Sequence, residues 1–407
     1  MNPAAFTTRQ KNERRILEYV INNREVSRVT LAKVLNLSTA TVTNIVTDLI
    51  EKKLLYEGRQ EKSTAGRKTT LLQFNGELFY VLTVEIPVDR PLLVSVCDLF
   101  GNKIISETVS CDMVVTSECS NTQVLKNVIF ALSDFLRRQP LEIQEKIKLV
   151  GLCPHGMVNA QGTLDIPGLN WTKLNLAMPL QATLGIPVCA EGITRILAHY
   201  ELRFIDPSEK NVIFLNLSSG VGMVQFFNQK MVAGKTGVAG EVGHISLNSH
   251  GPQCYCGNRG CFERYCGMAF VLQQAQALLT EENKHDLFYD MVINQKLPLT
   301  QDLLFLAQKE GSLVIHELLS KVSEYLGMGF AMLYNIFDPD RIIVSMDCYF
   351  ERNYLIENAK MVARSRTVNQ FSRELLISDA HLSGSQVHRA ISAFALKKYL
   401  DRLYQAN

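Results

Sequence analysis

A cluster of cysteines late in the chain constrains the fold more than any other feature. Ten cysteines occur in 407 residues, and four of them fall within thirteen consecutive positions: Cys254, Cys256, Cys261 and Cys266. Ten cysteines are too few for a disulfide scaffold in a chain of this length. In a reducing compartment, such clustering indicates a bound metal ion, so we expect this segment to fold around one.

The metal ligands follow from the spacing. His244 lies ten residues before Cys254, and Gly257 and Gly260 allow the tight turns that a closed site requires. One imidazole nitrogen and three thiolates form a tetrahedral zinc set. We therefore predict a structural Zn²⁺ held by His244, Cys254, Cys256 and Cys261. Cys266 or His250 could replace one ligand, and unligated thiols are the remaining alternative.

The first 76 residues read as a winged helix-turn-helix domain. Apolar residues at three- to four-residue spacing predict helices over 9–22, Arg28–Leu35 and 39–53, the second capped by Ser27. Alternating strands over 54–58 and 68–74 enclose the polar loop 59–67, which fits a two-stranded wing.

This domain is predicted to bind double-stranded DNA. Thr39, Thr43 and Asn44 lie off the apolar stripe of the third helix, where a recognition helix contacts base edges. The wing offers cations to phosphates or the minor groove: Arg59, Lys62, Arg67 and Lys68. Residues 1–74 carry a net charge of +6, although the whole chain carries only +2. The alternative is a protein-interaction module with a solvated charged face.

The remainder of the chain reads as an α/β body. Predicted strands cover 80–84, 92–98, 148–152, 212–217 and 341–346, and predicted helices cover 122–138, the region from 267 to about 337, and 388–403. No stretch approaches the roughly 18 apolar residues of a membrane span, and the start lacks an apolar signal region, so we expect a cytoplasmic protein without membrane contact.

The cysteine segment also carries a family resemblance. G-E-x-G-H at 240–244 followed by C-x-C-G-x-x-G-C-x-E at 254–263 resembles the ROK family of repressors and sugar kinases, whose zinc ligands are the His and three Cys at these positions. Residues 14–74, with G-R-K-x-x-x-L-x-x-N at 66–75, resemble the family repressors' winged helix. The segments 330–344 and 389–398 resemble the family's late helix-to-strand crossing and its last helix.

The resemblance implies an N-terminal DNA reader followed by a two-lobed, actin-like sugar-kinase fold. The expected domains are residues 1–76, a first lobe over 77–190, and a second lobe over 191–407 that contains the zinc motif. The last helix is expected to pack back on the first lobe.

The kinase machinery of the family is missing at four places. The first phosphate loop, D-x-G-G-T in the kinases, reads Glu-Ile-Pro-Val-Asp at 85–89, and the glycine-rich second loop reads Ser-Ser-Gly-Val-Gly-Met-Val at 218–224. The glycine pair beside the adenosine becomes Ser-Met-Asp at 345–347. The Asn-Asp pair that supplies the catalytic base becomes Gly192 and Ile193. Together, these departures argue against ATP-dependent phosphoryl transfer.

The sugar site is only partly preserved. By resemblance, Glu241, His244 and Glu263 match residues that hold the sugar hydroxyls in relatives. Gly156 matches the backbone position of the family's P-G turn, and the Asn that follows in relatives falls near Asn170. His244 would serve twice if its second ring nitrogen binds zinc. Loss of the Asn-Asp pair removes two hydroxyl contacts, so a vestigial pocket is the alternative.

These features predict a non-enzymatic repressor of carbohydrate-related genes. We expect a homodimer or homotetramer on a pseudo-palindromic operator, controlled by a sugar or sugar-phosphate effector. One rival is a ROK sugar kinase that retains a DNA-binding extension, which the absent carboxylate at position 193 disfavours. A second rival is a regulator that answers to a protein partner.

Overall fold

A computed structural model describes residues 7–62, 68–88, 90–116, 119–346, 353–368, 374–382 and 386–405. The helices are α1 (Thr8–Asn23), α2 (Arg28–Leu35), α3 (Thr39–Glu51), α4 (Asn121–Arg137), α5 (Leu141–Lys146), α6 (Ala177–Leu184), α7 (Ile193–Glu201), α8 (Glu263–Cys266), α9 (Met268–Ala277), α10 (Leu287–Tyr289), α11 (Gln301–Lys309), α12 (Leu313–Phe337), α13 (Asn353–Arg366) and α14 (Val387–Gln405).

The strands follow the same chain order. They are β1 (Glu25–Ser27), β2 (Leu55–Lys62), β3 (Lys68–Phe74), β4 (Tyr80–Ile86), β5 (Leu92–Cys97), β6 (Lys103–Val109), β7 (Ile147–Pro154), β8 (Met157–Val158), β9 (Leu164–Ile166), β10 (Trp171–Leu174), β11 (Val188–Ala190), β12 (Asn211–Leu217), β13 (Val221–Phe227), β14 (Lys230–Met231), β15 (Arg341–Ser345) and β16 (Ile377–Asp379).

The chain divides into two compact units. One contains the described residues up to His155, the segment Gly168–Glu191 and the described residues from His388 onward; the other contains Gly156–Pro167 and Gly192–Val387. None of the described helices is long and apolar enough to cross a membrane.

The winged helix belongs to the first unit, and its local chemistry matches the sequence prediction. The Ser27 and Ser38 hydroxyls accept hydrogen bonds from the backbone amides of Thr30 (3.0 Å) and Thr41 (3.1 Å), which fixes the starts of α2 and α3. Asn36, in the left-handed conformation at φ 52°, ends α2. The three strands pair in the order β1-β3-β2.

The wing differs from the prediction at its loop. We predicted that the loop begins at Arg59, but β2 continues to Lys62, so Arg59 and Lys62 lie on a strand. After a register irregularity between Glu57 and Gln60, the β2–β3 ladder resumes and runs to the pair Lys62 and Lys68. The bulge absorbs the mismatch that would otherwise have ended the pairing.

The rest of the first unit is built on a five-stranded sheet of order β11-β7-β4-β5-β6. β4 pairs antiparallel with β5 and parallel with β7. Apolar residues of β4 and β7, including Leu82, Val84 and Val150, are fully buried.

The second unit contains a sheet of order β14-β13-β12-β15-β16. β12 pairs parallel with β15, and β15 pairs parallel with β16. The long helix α12 supplies much of the core through Leu319, Leu326 and Phe330, which are fully buried. In the same unit, β8 and β9 form a short antiparallel pair.

Candidate DNA-binding, metal and ligand sites

The third helix presents a polar face to solvent. Val42, Val46 and Leu49 are fully buried on one side of α3, whereas Thr39, Thr43 and Asn44 are exposed. A 3.6-residue period separates these two faces. The predicted base-reading residues therefore stand on the accessible surface of the helix.

One of the wing cations, Arg59, is paired with an acidic side chain. The Arg59 side chain is 70% exposed, and its Nη2 lies 2.6 Å from Oε2 of Glu25 on β1. Lys62 and Lys68 are register partners at the described end of the hairpin, and Arg67 lies outside the described residues. An exposed ion pair contributes little to stability, so Arg59 can exchange Glu25 for a phosphate.

His244, Cys254, Cys256 and Cys261 form a cluster able to hold a metal ion. Their ligand atoms all lie within 4.8 Å of one another. His244 Nδ1 is 3.7 Å from Cys254 Sγ, and Cys256 Sγ is 3.7 Å from Cys261 Sγ. Tetrahedral zinc with Zn–S near 2.3 Å requires ligand separations of roughly 3.8 Å. The donor set and its spacing therefore fit a four-coordinate zinc ion.

Backbone geometry explains why the loop closes around this cluster. Gly257 (φ 93°) and Gly260 (φ 63°) take conformations that favour glycine. The Leu247 amide donates to the Gly260 carbonyl (2.8 Å), and the Cys254 amide donates to the Asn258 carbonyl (2.8 Å). The loop thus forms a hydrogen-bonded frame around the thiols.

The electrostatics of the loop favour one thiolate. Burial opposes ionisation of Cys256, but hydrogen bonds from the Asn258 backbone and from neighbouring thiols outweigh it and lower the pKa of Cys256. Thiolate is the metal-binding form of cysteine. The local structure therefore prepares Cys256 for a cation.

The alternative ligands lie elsewhere. The Cys266 thiol is buried in the core of the second unit and donates to the carbonyl of Val322 (3.6 Å). His250 is exposed and does not belong to the cluster. The structure thus brings together the four residues of the primary prediction.

Two of the predicted ligand-binding residues line one recess of the second unit. Gly156 and Glu241 border it, together with Thr194 and Gly222. A Cβ at Gly156 would lie 2.6 Å from the carbonyl oxygen of Asp165, so this position requires glycine. The recess therefore has a backbone wall and a carboxyl group at its edge.

Glu241 is adapted to act as donor or acceptor. The residue as a whole is exposed at the mouth of the recess, yet burial of its carboxyl and, secondarily, the charge of Glu263 together raise the pKa to about 7. Near neutral pH, the group is partly protonated, so it can donate to or accept from a ligand hydroxyl.

Glu263 and His244 meet at a residue that the sequence prediction missed. Glu263 is buried, and its Oε2 accepts a hydrogen bond from the Val221 amide (2.9 Å). The Tyr255 hydroxyl lies 3.3 Å from His244 Nε2, and the pKa of Tyr255 is raised by burial and by the Glu263 charge. Its position between the predicted ligands Cys254 and Cys256 is the sequence signal that could have identified it.

Asn170 belongs to the first unit and has a local partner. It stands in the left-handed conformation at φ 55°, and its side-chain amide donates to the Val115 carbonyl (2.9 Å).

The first phosphate-loop segment is closed by side chains. Glu85 Oε1 lies 2.9 Å from His155 Nε2 and 3.1 Å from Arg90 Nη2. Burial alone would raise the pKa of Glu85, but the hydrogen bonds and charges of His155 and Arg90 outweigh it and lower that pKa. Val88 packs so closely on Gly168 that a Cβ there would overlap it. Asp89 lies outside the described residues.

The other kinase positions are also filled by apolar groups. Met223 and Val224 of β13 are buried, as is Ile193 at the start of α7. Met346 is 1% exposed after β15, and Asp347 lies outside the described residues. Amide-lined phosphate cradles need open glycine positions, and only Gly220 and Gly222 remain in the second loop, each close to a neighbouring side chain.

Known proteins share both parts of this chain. Residues 9–55 match a winged helix-turn-helix DNA-binding family, and residues 101–398 match the ROK family. The xylose repressor of Bacillus subtilis (strain 168) is 26% identical over 405 residues, which cover 96% of each chain. The DNA-binding transcriptional dual regulator NagC of Escherichia coli (strain K12) is 23% identical over 399 residues, which cover 96% of this chain and 93% of NagC.

Solved structures share the fold. A ROK family transcriptional regulator described as a homolog of the E. coli MLC protein has a TM-score of 0.77 and 20% identity, covering 98% of both chains. A ROK family glucokinase from Streptomyces griseus, in complex with glucose and AMPPNP, has a TM-score of 0.63 and 22% identity, covering 78% of this chain and 99% of the kinase chain.

A winged helix joined to a sugar-kinase-like body defines a class of DNA-binding transcriptional regulators, and the full-length relatives are repressors and regulators. The chain belongs to the ROK family. It is a DNA-binding transcriptional regulator of that family rather than a sugar kinase, as predicted.

Proposed function

We propose that this ROK repressor controls carbohydrate-related genes as a homodimer or homotetramer on a pseudo-palindromic operator, and that a sugar or sugar phosphate binds its body. The proposal rests on two features that occur in the same chain: an exposed polar face on α3 and a recess bordered by Glu241. The relatives' names, xylose repressor and N-acetylglucosamine repressor, support a carbohydrate effector.

DNA recognition divides between helix and wing in this proposal. Thr39, Thr43 and Asn44 read base edges, because their side chains stand on the open face of α3. Arg59, Lys62, Arg67 and Lys68 supply phosphate or minor-groove contacts, which add affinity without sequence information.

The zinc site has a structural role in the proposal. His244, Cys254, Cys256 and Cys261 hold the ion, which supplies cross-links between the turn Val242–His244 and the following loop. That turn follows Glu241 directly, and Glu241 borders the recess. A well-ordered cysteine loop would therefore hold one edge of the recess in place. With Nδ1 facing Cys254, His244 Nε2 remains on the Tyr255 side.

The effector binds through hydroxyl groups. Gly156, Glu241, His244 and Glu263 of the second unit are the proposed contacts, and the partly protonated Glu241 suits a hydroxyl that both donates and accepts. The effector changes operator affinity only by binding the DNA-competent and DNA-incompetent arrangements differently.

One observation favours a second candidate, in which a protein partner replaces the small molecule and the pocket is vestigial. Glu263 already uses a carboxylate oxygen to accept from the Val221 amide. A sugar would therefore have to compete with the protein's own backbone for that oxygen.

Thermal-shift screening of sugars and sugar phosphates tests the proposal. A ligand at 100 times its Kd adds about 2.7 kcal/mol to the free energy of unfolding, which raises Tm by several degrees in a protein of this size. Glu241→Gln should reduce the ligand-induced shift in Tm. Glu317→Gln is the control, because Glu317 is exposed and pairs only at the surface with Lys321, and it should leave the shift unchanged. Absence of any shift across the panel would contradict the effector and favour the protein partner.

A further inference from the structure

The last helix of the chain is fixed to the sheet of the first unit. Gly151 of β7 has no side chain, and a Cβ there would lie 2.5 Å from Ile391 Cγ2 of α14. Further along α14, the Tyr399 ring lies 4.7 Å from the Phe79 ring, measured between centroids. The middle of α14 is therefore held against the body by close packing.

The end of the same helix contacts the DNA-binding domain. Asp401 Oδ1 lies 2.7 Å from Nη2 of Arg14 on α1. The Arg14 side chain is 23% exposed and that of Asp401 is 24% exposed, so this pair is less solvated than an ordinary surface pair. Arg14 Nε also donates to Glu18 (2.8 Å), which holds the guanidinium in place.

Tyr404 lies three residues beyond Asp401 on α14. It is 4% exposed, and burial, followed by the charge of Glu13 on α1, raises the pKa of its phenol. Glu13 also receives the ammonium of Lys52, whose Nζ lies 2.6 Å from Oε1. Lys52 is the C-cap residue of the recognition helix α3, so ion pairs connect α14 to α1 and α1 to the C-terminal end of α3.

We propose that Asp401 is a positioning residue for operator binding. Its ion pair with Arg14 holds α1 against α14 and so fixes the orientation of the recognition helix relative to the rest of the first unit. Asp401 touches no base, and it acts through α1. This inference rests on the proposed binding of an oligomer to two half-sites. When both DNA-binding domains of a dimer have fixed directions, binding of the first domain places the second at a high effective concentration near its half-site. Freely rotating domains lose this advantage.

The test compares whole operators with half-operators. The probe is the duplex that the unmutated protein enriches from a randomised library, and the half-operator is the same duplex with one half scrambled. The variants are Asp401→Asn, Arg14→Gln and their double mutant. Glu317→Gln breaks an exposed i,i+4 pair on α12 and is the matched control.

We expect Asp401→Asn to weaken whole-operator binding by about tenfold and half-operator binding by less than about twofold. A tenfold loss lies within the range of interaction energies measured between contacting residues. The double mutant should lose no more than either single variant. Thermal melts identify any variant that fails to fold, in which case the remaining single variant of the Arg14–Asp401 pair decides the question by the same comparison.

Equal losses on both duplexes would overturn the inference, because α14 would then merely stabilise the DNA-binding domain. Unchanged binding to both would also overturn it. If the unmutated protein enriches no duplex, or binds whole and half-operators equally, the proposed oligomeric DNA recognition fails instead, and that failure is visible before any variant is made.

Discussion

The turn at Gly260 provides the sharpest test of the proposed metal centre. A Cβ at this position would lie 2.6 Å from the carbonyl carbon of Asn248 and still closer to its oxygen. Nonbonded carbon atoms need about 3.5 to 4.0 Å, so the backbone must move by about 1 Å. Zinc–ligand distances tolerate only about 0.2 Å. Gly260→Ala should therefore lose most of its zinc and at least about 3 kcal/mol of stability.

Gly257→Ala is the matched control. Gly257 also has positive φ (93°), but a Cβ there would meet nothing within 4 Å. Its cost is backbone strain alone, about 1 to 3 kcal/mol, and the metal should remain. Metal analysis of protein purified without added zinc should find about one equivalent in the unmutated protein and in Gly257→Ala, and little in Gly260→Ala or Cys256→Ser. Full zinc in Gly260→Ala would refute the described loop geometry.

Three further outcomes are expected. Because the pKa of Glu85 lies below its ordinary 4.5 in the folded state, the ionised group stabilises the protein above that pH, and this stabilisation is lost as pH falls through the lowered pKa. In denaturant melts, Glu85→Gln should therefore lower the free energy of unfolding by about 1.5 to 3 kcal/mol at neutral pH and leave it unchanged in acid. The same loss at both pH values would contradict the pairing of Glu85 with His155. Ile193→Asp should show no ATP turnover with hexoses or aminosugars, and calorimetry should detect no ATP binding by the unmutated protein; clear turnover by that protein would contradict the filled phosphate loops. Gly151→Ala should cost about 1 to 3 kcal/mol in the same melts through overlap with Ile391, and an unchanged stability would show that α14 is not packed as described.

Local sequence was sufficient for the DNA-binding domain. Ser27 and Ser38 stand one residue before helical patterns, and their hydroxyls cap α2 and α3 in the structure. The apolar stripe of α3 separated Asn44 from the core because a helix has a fixed period. The bulge near Gln60 left no comparable pattern, and the predicted loop was therefore too long.

The metal cluster was predictable because its residues are close in sequence. The choice of Cys261 over Cys266 became clear only when Cys266 was found in the core beside Val322. Contacts between distant residues stayed invisible, since one sequence gives no pairing information across long separations. The ion pair between Arg14 and Asp401 is such a case.

Base reading by Asn44 tests the central claim most directly. The exposed amide of Asn44 can form two hydrogen bonds with an adenine edge. Asn44→Ala should therefore lose about 1 to 3 kcal/mol of binding to the enriched operator and almost nothing on random DNA. Asn127→Ala is the control, because the Asn127 amide donates to the Asp112 carbonyl outside the DNA-binding domain. This variant should bind both DNAs normally. Equal losses by Asn44→Ala on both DNAs, or no loss on either, would contradict recognition through this face of α3.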